Sequence, residues 1–335
     1  MKIITGLFFT IFITTFSAAL HAQPVKIIFD TDMESDVDDV GALAMLHGLA
    51  DNGEAEILGT MVCSLNPWSV PTVDAVNTYF KRSDIPIGAV KTLGVYRNSK
   101  YARIISEEYP QDIGLGEEAP DAIILYRKIL ESQPDQSVVV VTVGYLTNLS
   151  YLLKSDPDTI SPLNGLELVR KKVKHLVCMG GRYPYQQDPA KWGNFKPDPG
   201  AVQYVAQHWP TLIMFTGGGD FANLIKTGKQ TFNFEPASNP VSRAYEVFLK
   251  GWRDWHHSAD LIAVYVAVRG WEEFFQLNTQ GYNHIFEDGT LIWRLQPDDP
   301  HHQYIDNLKE NVNPDHVAKV FDDLMMQSVQ ASATK

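Results

Sequence analysis

Between positions 30 and 39 the chain carries Asp30, Asp32, Glu34, Asp36, Asp38 and Asp39. Carboxylates packed this densely repel one another unless a positive charge sits among them, and a bound cation is the simplest source. Carboxylate oxygens with no cysteine nearby favour a hard ion such as Ca²⁺ or Mg²⁺. One or two acids would be ordinary at a helix N-terminus, but a run of this length exceeds what the helix dipole needs. An EF-hand is a poor match. Counting from Asp30, Ser35 falls where that loop needs glycine and Gly41 where it needs its closing glutamate. A second chemistry fits the opening Asp30-Thr31-Asp32, namely a phosphatase with Asp30 as nucleophile and Asp32 as acid and base.

The flanking residues say how such acids are held. Residues 25–29 are apolar except for Lys26, and residues 40–46 suit a buried helix. The stretch therefore reads strand, acidic loop, helix. In an open α/β sheet, ligands bind at the carboxyl ends of strands. Further strands are expected at 56–62, 85–89, 137–143, 173–179 and 211–215, the run Val138–Val141 being the most β-branched. Helices are expected at 70–80, 121–130, 200–207, 241–255 and 261–270, with a last one from Asn313-Pro314 to about 329. Residues 91–118 lack periodicity and read as a long loop near the site, or a lid. Asp288-Gly289 marks a hairpin. The alternation predicts an α/β fold with one doubly wound, mostly parallel central sheet, helices on both faces, related to the Rossmann fold.

With 335 residues, 44% of them hydrophobic, the chain can bury a large core. The start does not belong to it. Lys2, an apolar run over 3–16 and Ser17 to Ala22 read as a secretory signal cleaved after Ala22, with Ala19 the alternative, leaving residues 23–335 as a single domain. The run is short for a membrane span. The protein is thus expected to be exported, to the periplasm or beyond, without stable membrane insertion. A net charge of −12 argues against a nucleic-acid polymer as partner, although a neutral nucleoside stays compatible. Cys63 and Cys178 each lie in an apolar run and are expected as free, buried thiols.

Asp30-Thr31-Asp32, a short loop, Asp38-Asp39 and a small apolar helix together resemble the calcium-dependent, inosine- and uridine-preferring nucleoside hydrolase family, whose usual form is DTDPGxDDA. Here Met33 to Val37 put five residues where the family has three. Later segments resemble the family in the same order. They are Val141-Thr142-Val143-Gly144 with Leu146-Thr147-Asn148, Cys178-Met179-Gly180-Gly181, Asn194 with Asp198-Pro199, and Asp260 before Leu261 to Val264. The resemblance implies calcium-dependent cleavage of the N-glycosidic bond of ribonucleosides, giving free base and ribose through an oxocarbenium-like state. It implies Asp32, Asp39, the Thr142 backbone carbonyl and Asp260 as Ca²⁺ ligands, with Asp32 also taking the water's proton. It further implies Asp38 and Asn194 on the ribose hydroxyls, Met179 under the ribose, Asn66 at the site, and Asp30 and Asp36 in support.

Two positions depart from the family. Its leaving-group histidine, just before the last aspartate, is Ala259 here, which leaves His257, with His256 beside it, as the candidate acid. The family's glutamate two before the ribose asparagine is Trp192, a residue that could instead stack on the base, as could Tyr183 or Trp255. The partner implied is a small nucleoside or riboside, and the family implies homodimers or homotetramers. Two alternatives stand beside this reading: a metal-dependent ribosyl-binding protein without turnover, and the phosphatase, which Met33 disfavours.

Overall fold

The computed structural model describes residues 23–91, 93–184, 193–295 and 301–333. The expected signal segment and Trp192 lie outside the described residues. In chain order the strands are β1 (Val25–Thr31), β2 (Ala55–Val62), β3 (Ile87–Ala89), β4 (Val138–Thr142), β5 (Val173–Met179), β6 (Leu212–Thr216), β7 (Phe275–Asn278), β8 (Tyr282–Ile285), β9 (Leu291–Arg294) and β10 (His302–Leu308). The helices are α1 (Asp38–Asp51), α2 (Ser69–Tyr79), α3 (Ala102–Glu108), α4 (Ala122–Ser132), α5 (Thr147–Lys154), α6 (Gly165–Lys172), α7 (Pro199–His208), α8 (Gly219–Leu224), α9 (Pro240–Leu249), α10 (Ala259–Arg269) and α11 (Pro314–Ala333).

The main sheet runs β3-β2-β1-β4-β5-β6-β10-β7, and every pairing is parallel except β10 with β7. Its first six strands follow the doubly wound order, whose direction reverses between β1 and β4. That reversal opens a crevice at the strands' carboxyl ends. The doubly wound expectation holds, and it puts the acidic run beside the crevice.

Side-chain alternation divides the interior. Ile27 and Phe29 of β1 face a core built with α1, α2, α9, α10 and α11, whereas Ile28 faces a second core with α4, α5, α6 and α7. Helix α1 is buried from Asp38 to Leu49, which is why its sequence is apolar on all sides. Cys63 and Cys178 are buried and free, as expected.

Several boundaries differ from the sequence reading. The helix expected over 241–255 stops at Leu249, because Lys250 (φ 44°) and Gly251 (φ 73°) turn left-handed. Residues up to 258 therefore form a loop, and that loop carries both candidate histidines. The supposed loop 91–118 contains α3. Strands β7 and β10 are not among the expected elements; β10 adds a parallel strand beside β6, and the four-residue β7 closes that edge antiparallel to it. The hairpin at Asp288-Gly289 is present as β8 and β9.

Candidate active site

Three elements bring the acids together. Strand β1 delivers Asp32 just past its end. The first turn of α1 holds Asp38 and Asp39, and the first turn of α10 holds Asp260. Two helix N-termini thus meet over the end of β1, and both dipoles favour negative charge there. The contact is direct, since the Asp260 N–H donates to Asp38 Oδ2 at 3.3 Å. Asp260 is the second residue of its helix rather than its cap.

Asp30 points the other way. Strand alternation turns it into the second core, where Tyr126 Oη donates to it at 2.8 Å and Asn148 Nδ2 at 3.2 Å. Burial raises its carboxyl to about 7. A carboxyl enclosed on the far face supports the strand end and cannot serve as a nucleophile in the crevice, which removes the physical basis for the phosphatase reading.

The crevice acids strain one another. Asp32 is raised well above the ordinary carboxyl range by burial and then by Glu34. Asp39 is raised by burial, Asp32 and Asp38, and Asp260 by burial, Asp38, Asp39 and Asp32. Asp38 is the exception. Burial raises it, but the neighbouring His257, a hydrogen bond from His256 and the Asp260 N–H outweigh that and hold it below its ordinary value. Asp36, raised by burial and by Asp38, is the more open of the two, with 48% of its side chain exposed against 2% for Asp38.

The chemistry of Asp32, Asp39 and Asp260, oxygen donors only, suits a hard divalent cation. Asp260 Oδ1 is buried and receives no hydrogen bond. Asp32 accepts the Glu34 N–H on Oδ1 at 3.1 Å, and Asp39 accepts the Thr31 hydroxyl and the Met33 N–H on its own Oδ1. Each carboxylate therefore keeps an oxygen for an ion, and a positive charge would reverse the repulsion that raises all three.

The backbone carbonyl expected in the ligand set shifts by one residue. Val143 N–H donates to the Asp30 carbonyl at 2.8 Å, so Val143 faces β1. Alternation then turns Thr142 toward β5, where its carbonyl belongs to the β4–β5 ladder. The carbonyl on the crevice side is that of Val143, and it accepts from Asn194 Nδ2. This corrects the assignment of Thr142. Gly144 follows at the closest approach of the two strand ends.

Asn194 lies in the 3₁₀ turn Gly193–Phe195, and Met179 is the half-buried last residue of β5. Asn66 is buried with both polar atoms engaged: its Nδ2 donates to the Arg97 carbonyl at 2.9 Å and its Oδ1 accepts the Trp68 N–H at 3.0 Å. Its work in this structure is to hold the loop beyond β2.

Glu34 anchors the loop after Asp32. It is fully buried beside Asp32 and accepts from Ser64 Oγ, from the Arg97 N–H at 2.9 Å and from Tyr145 Oη at 2.9 Å. The lengthened loop after Asp32 therefore inserts an extra carboxylate that pins residues 94–101 against the site, helped by Tyr101 Oη on the Asp36 carbonyl at 2.9 Å. The signal available was the insertion itself. His256 and His257 stand over Asp38, with His256 Nε2 3.5 Å from Oδ1 and His257 Nε2 3.5 Å from Oδ2. Among the described residues, Asp36, Asp38, His256 and His257 are the group whose ligand atoms all fall within 4.8 Å of one another.

A switch-point crevice lined by oxygen donors from three elements defines an α/β protein built to hold a cation and a small polar ligand. The chain belongs to the inosine-uridine preferring nucleoside hydrolase family, whose profile matches residues 27–314. Its class is accordingly that of the nucleoside N-ribohydrolases, and its substrate a small nucleoside. The fold resembles the purine-preferring ribonucleoside hydrolase from Gardnerella vaginalis at 15% identity and a TM-score of 0.68, covering 91% of this chain and 98% of that one. It also resembles the inosine-uridine preferring nucleoside hydrolase from Bacillus anthracis, at 15% identity and a TM-score of 0.65 over 91% and 99% of the two chains. An inosine-guanosine nucleoside hydrolase matches at 17% identity and a TM-score of 0.66, over 91% and 98%. At these identities the likeness is one of fold. Compared with curated protein sequences, the chain finds no match. Among the described residues, no helix is long and apolar enough to cross a membrane.

Proposed function

We propose that the protein is a calcium-dependent ribonucleoside hydrolase. The observation that carries this is the placement of Asp32, Asp39 and Asp260 over the end of β1, three buried carboxylates that raise one another, each with an oxygen that accepts no hydrogen bond. These three and the Val143 carbonyl are the proposed ligands, and oxygen donors alone favour calcium over zinc. A calcium ion held by these groups would supply the positive charge that lets the acids coexist and the Lewis acidity that lowers the pKa of a water molecule.

The chain's own residues do the rest. Asp32 takes the proton of the attacking water. Asp38, held ionised, and Asn194, through its Oδ1, accept the ribose hydroxyl protons. Met179 floors the sugar. His257, partly open above Asp38, donates the proton to the departing base. The export reading and a homodimer or homotetramer belong to the same proposal. They are checked by the N-terminus of the mature protein and by light scattering.

Ala259 favours a second reading, metal-dependent binding of a riboside without turnover, because a methyl group stands where the family's proton donor would be. Incubating the protein with inosine, uridine and p-nitrophenyl riboside, with and without EDTA, separates the two. Base release that EDTA abolishes supports the hydrolase. Metal-dependent binding of ribose with no base release supports the binding protein and refutes the hydrolase.

A further inference from the structure

His256 is held from every side. Its backbone pairs with Thr227, N–H to carbonyl at 2.8 Å and carbonyl from N–H at 3.0 Å. Phe248 packs edge-on with ring centroids 4.9 Å apart, and His257 lies at 4.0 Å. The ring is 2% exposed. Arg253 Nη2 stands 2.7 Å from its Nδ1, and the guanidinium stacks on Trp252 at 4.4 Å and Trp255 at 4.3 Å.

Arginine has donors only. Nδ1 must therefore be the acceptor, and an imidazole accepting at Nδ1 carries its one proton on Nε2. That Nε2–H is buried and points between Asp38 Oδ1 at 3.5 Å and Asp36 Oδ1 at 3.6 Å. Two consequences follow. Nε2 has no lone pair for a metal, so the compact group of Asp36, Asp38, His256 and His257 does not bind an ion through His256. A ring already accepting from Arg253 also has no place for a second proton, so it cannot be the reservoir that protonates a leaving base.

We infer that Arg253 is a positioning residue that locks His256 as the neutral Nε2–H tautomer, a fixed donor that orients Asp38 for the ribose hydroxyl and leaves proton donation to His257. The molecule has a second example of the same geometry. Arg82 Nη1 lies 3.4 Å from His47 Nδ1 while His47 Nε2 meets Asn77 Oδ1 at 2.9 Å. Burial pushes that imidazole down to about 3. The role assigned to Asp38 rests on the proposed hydrolase; the tautomer does not.

The test is long-range ¹⁵N–¹H correlation of the histidine rings in the full protein near neutral pH. His256 is expected to give the neutral Nε2–H pattern, with His47 as internal standard, and Arg253→Ala is expected to lose that pattern at His256 only. An imidazolium or Nδ1–H pattern for His256 in the wild type overturns the inference, as does an unchanged pattern in folded Arg253→Ala. Kinetics give a second arm, because a glutamine amide can replace an Nε2–H donor but not a proton reservoir. His256→Ala is expected to lower kcat/KM by roughly 10- to 100-fold, mostly through KM, as for one lost hydrogen bond to a charged group. His256→Gln is expected to recover most of that. Equal loss in both variants, mainly in kcat, makes His256 the acid and refutes the assignment. If the protein releases no base at all, the hydrolase reading fails while the spectra still decide the tautomer.

Discussion

Gly144 fixes the spacing of the crevice, and a single methyl group tests it. A Cβ built on Gly144 stands 2.5 Å from the Asp32 backbone nitrogen, 2.5 Å from Cys63 Sγ and 2.9 Å from the Thr31 carbonyl carbon. Carbon contacts become comfortable near 3.5 Å, so Gly144→Ala must part the ends of β1 and β4 by about 1 Å. Overpacking of this kind costs about 1–3 kcal/mol of stability. A shift of about 1 Å in a reacting group costs on the order of 100-fold in rate. Because the displaced group is Asp32, a proposed calcium ligand, calcium affinity should fall with the rate. The assay is kcat/KM for base release, with melting curves and calcium titration on the same preparation. Gly48→Ala is the control. Its Cβ would stand 2.1 Å from the Leu324 carbonyl oxygen, where α1 crosses α11. It should lose comparable stability while the folded fraction keeps its activity. If Gly144→Ala lowers the melting temperature but leaves rate and calcium affinity near wild type, the claim that this glycine sets the position of Asp32 is refuted.

If calcium is bound as proposed, it should raise the melting temperature by an amount corresponding to about 2.7 kcal/mol at 100 times the dissociation constant, and Asp260→Asn should abolish both that rise and base release; a full calcium response in the variant removes Asp260 from the ligand set. His257→Ala should slow base release from inosine by about 100-fold or more, yet leave p-nitrophenyl riboside, whose leaving group needs no acid, little changed; parallel losses on both substrates would argue against His257 as the donor. Asp306 accepts the Tyr183 N–H at 2.9 Å, and burial raises its carboxyl from 3.8 to about 7. A raised carboxyl contributes stability in full below its unfolded value, and that contribution disappears as pH rises through the folded one. Asp306→Asn should therefore flatten the decline in stability over this interval and exceed wild type above it by on the order of 1–2 kcal/mol, with identical pH profiles as the refuting result.

The local readings were strongest where one run of sequence contains the whole interaction. Residues 25–46 hold a strand, its acidic exit and a buried helix, so Asp32, Asp38 and Asp39 could be assigned to one crevice before any contact was known. The β-branched run at β4 and the glycines that close β5 gave the parallel sheet for the same reason. Even the enclosed position of Asp30 was available from strand alternation, since it shares a face with Ile28 and not with Thr31. By contrast, the direction of a carbonyl depends on which neighbouring strand its residue bonds, and this separated Val143 from Thr142. The end of α9 at Leu249 depends on two left-handed residues that no hydrophobic pattern marks. The locking of His256 needs Arg253, Thr227 and Phe248 at once, and the seat of Glu34 needs Ser64, Arg97 and Tyr145. The sequence by itself determined which charges crowd the end of the first strand. Only the tertiary structure decided which of them face one another, because that depends on helix ends more than two hundred residues apart being packed against the same sheet.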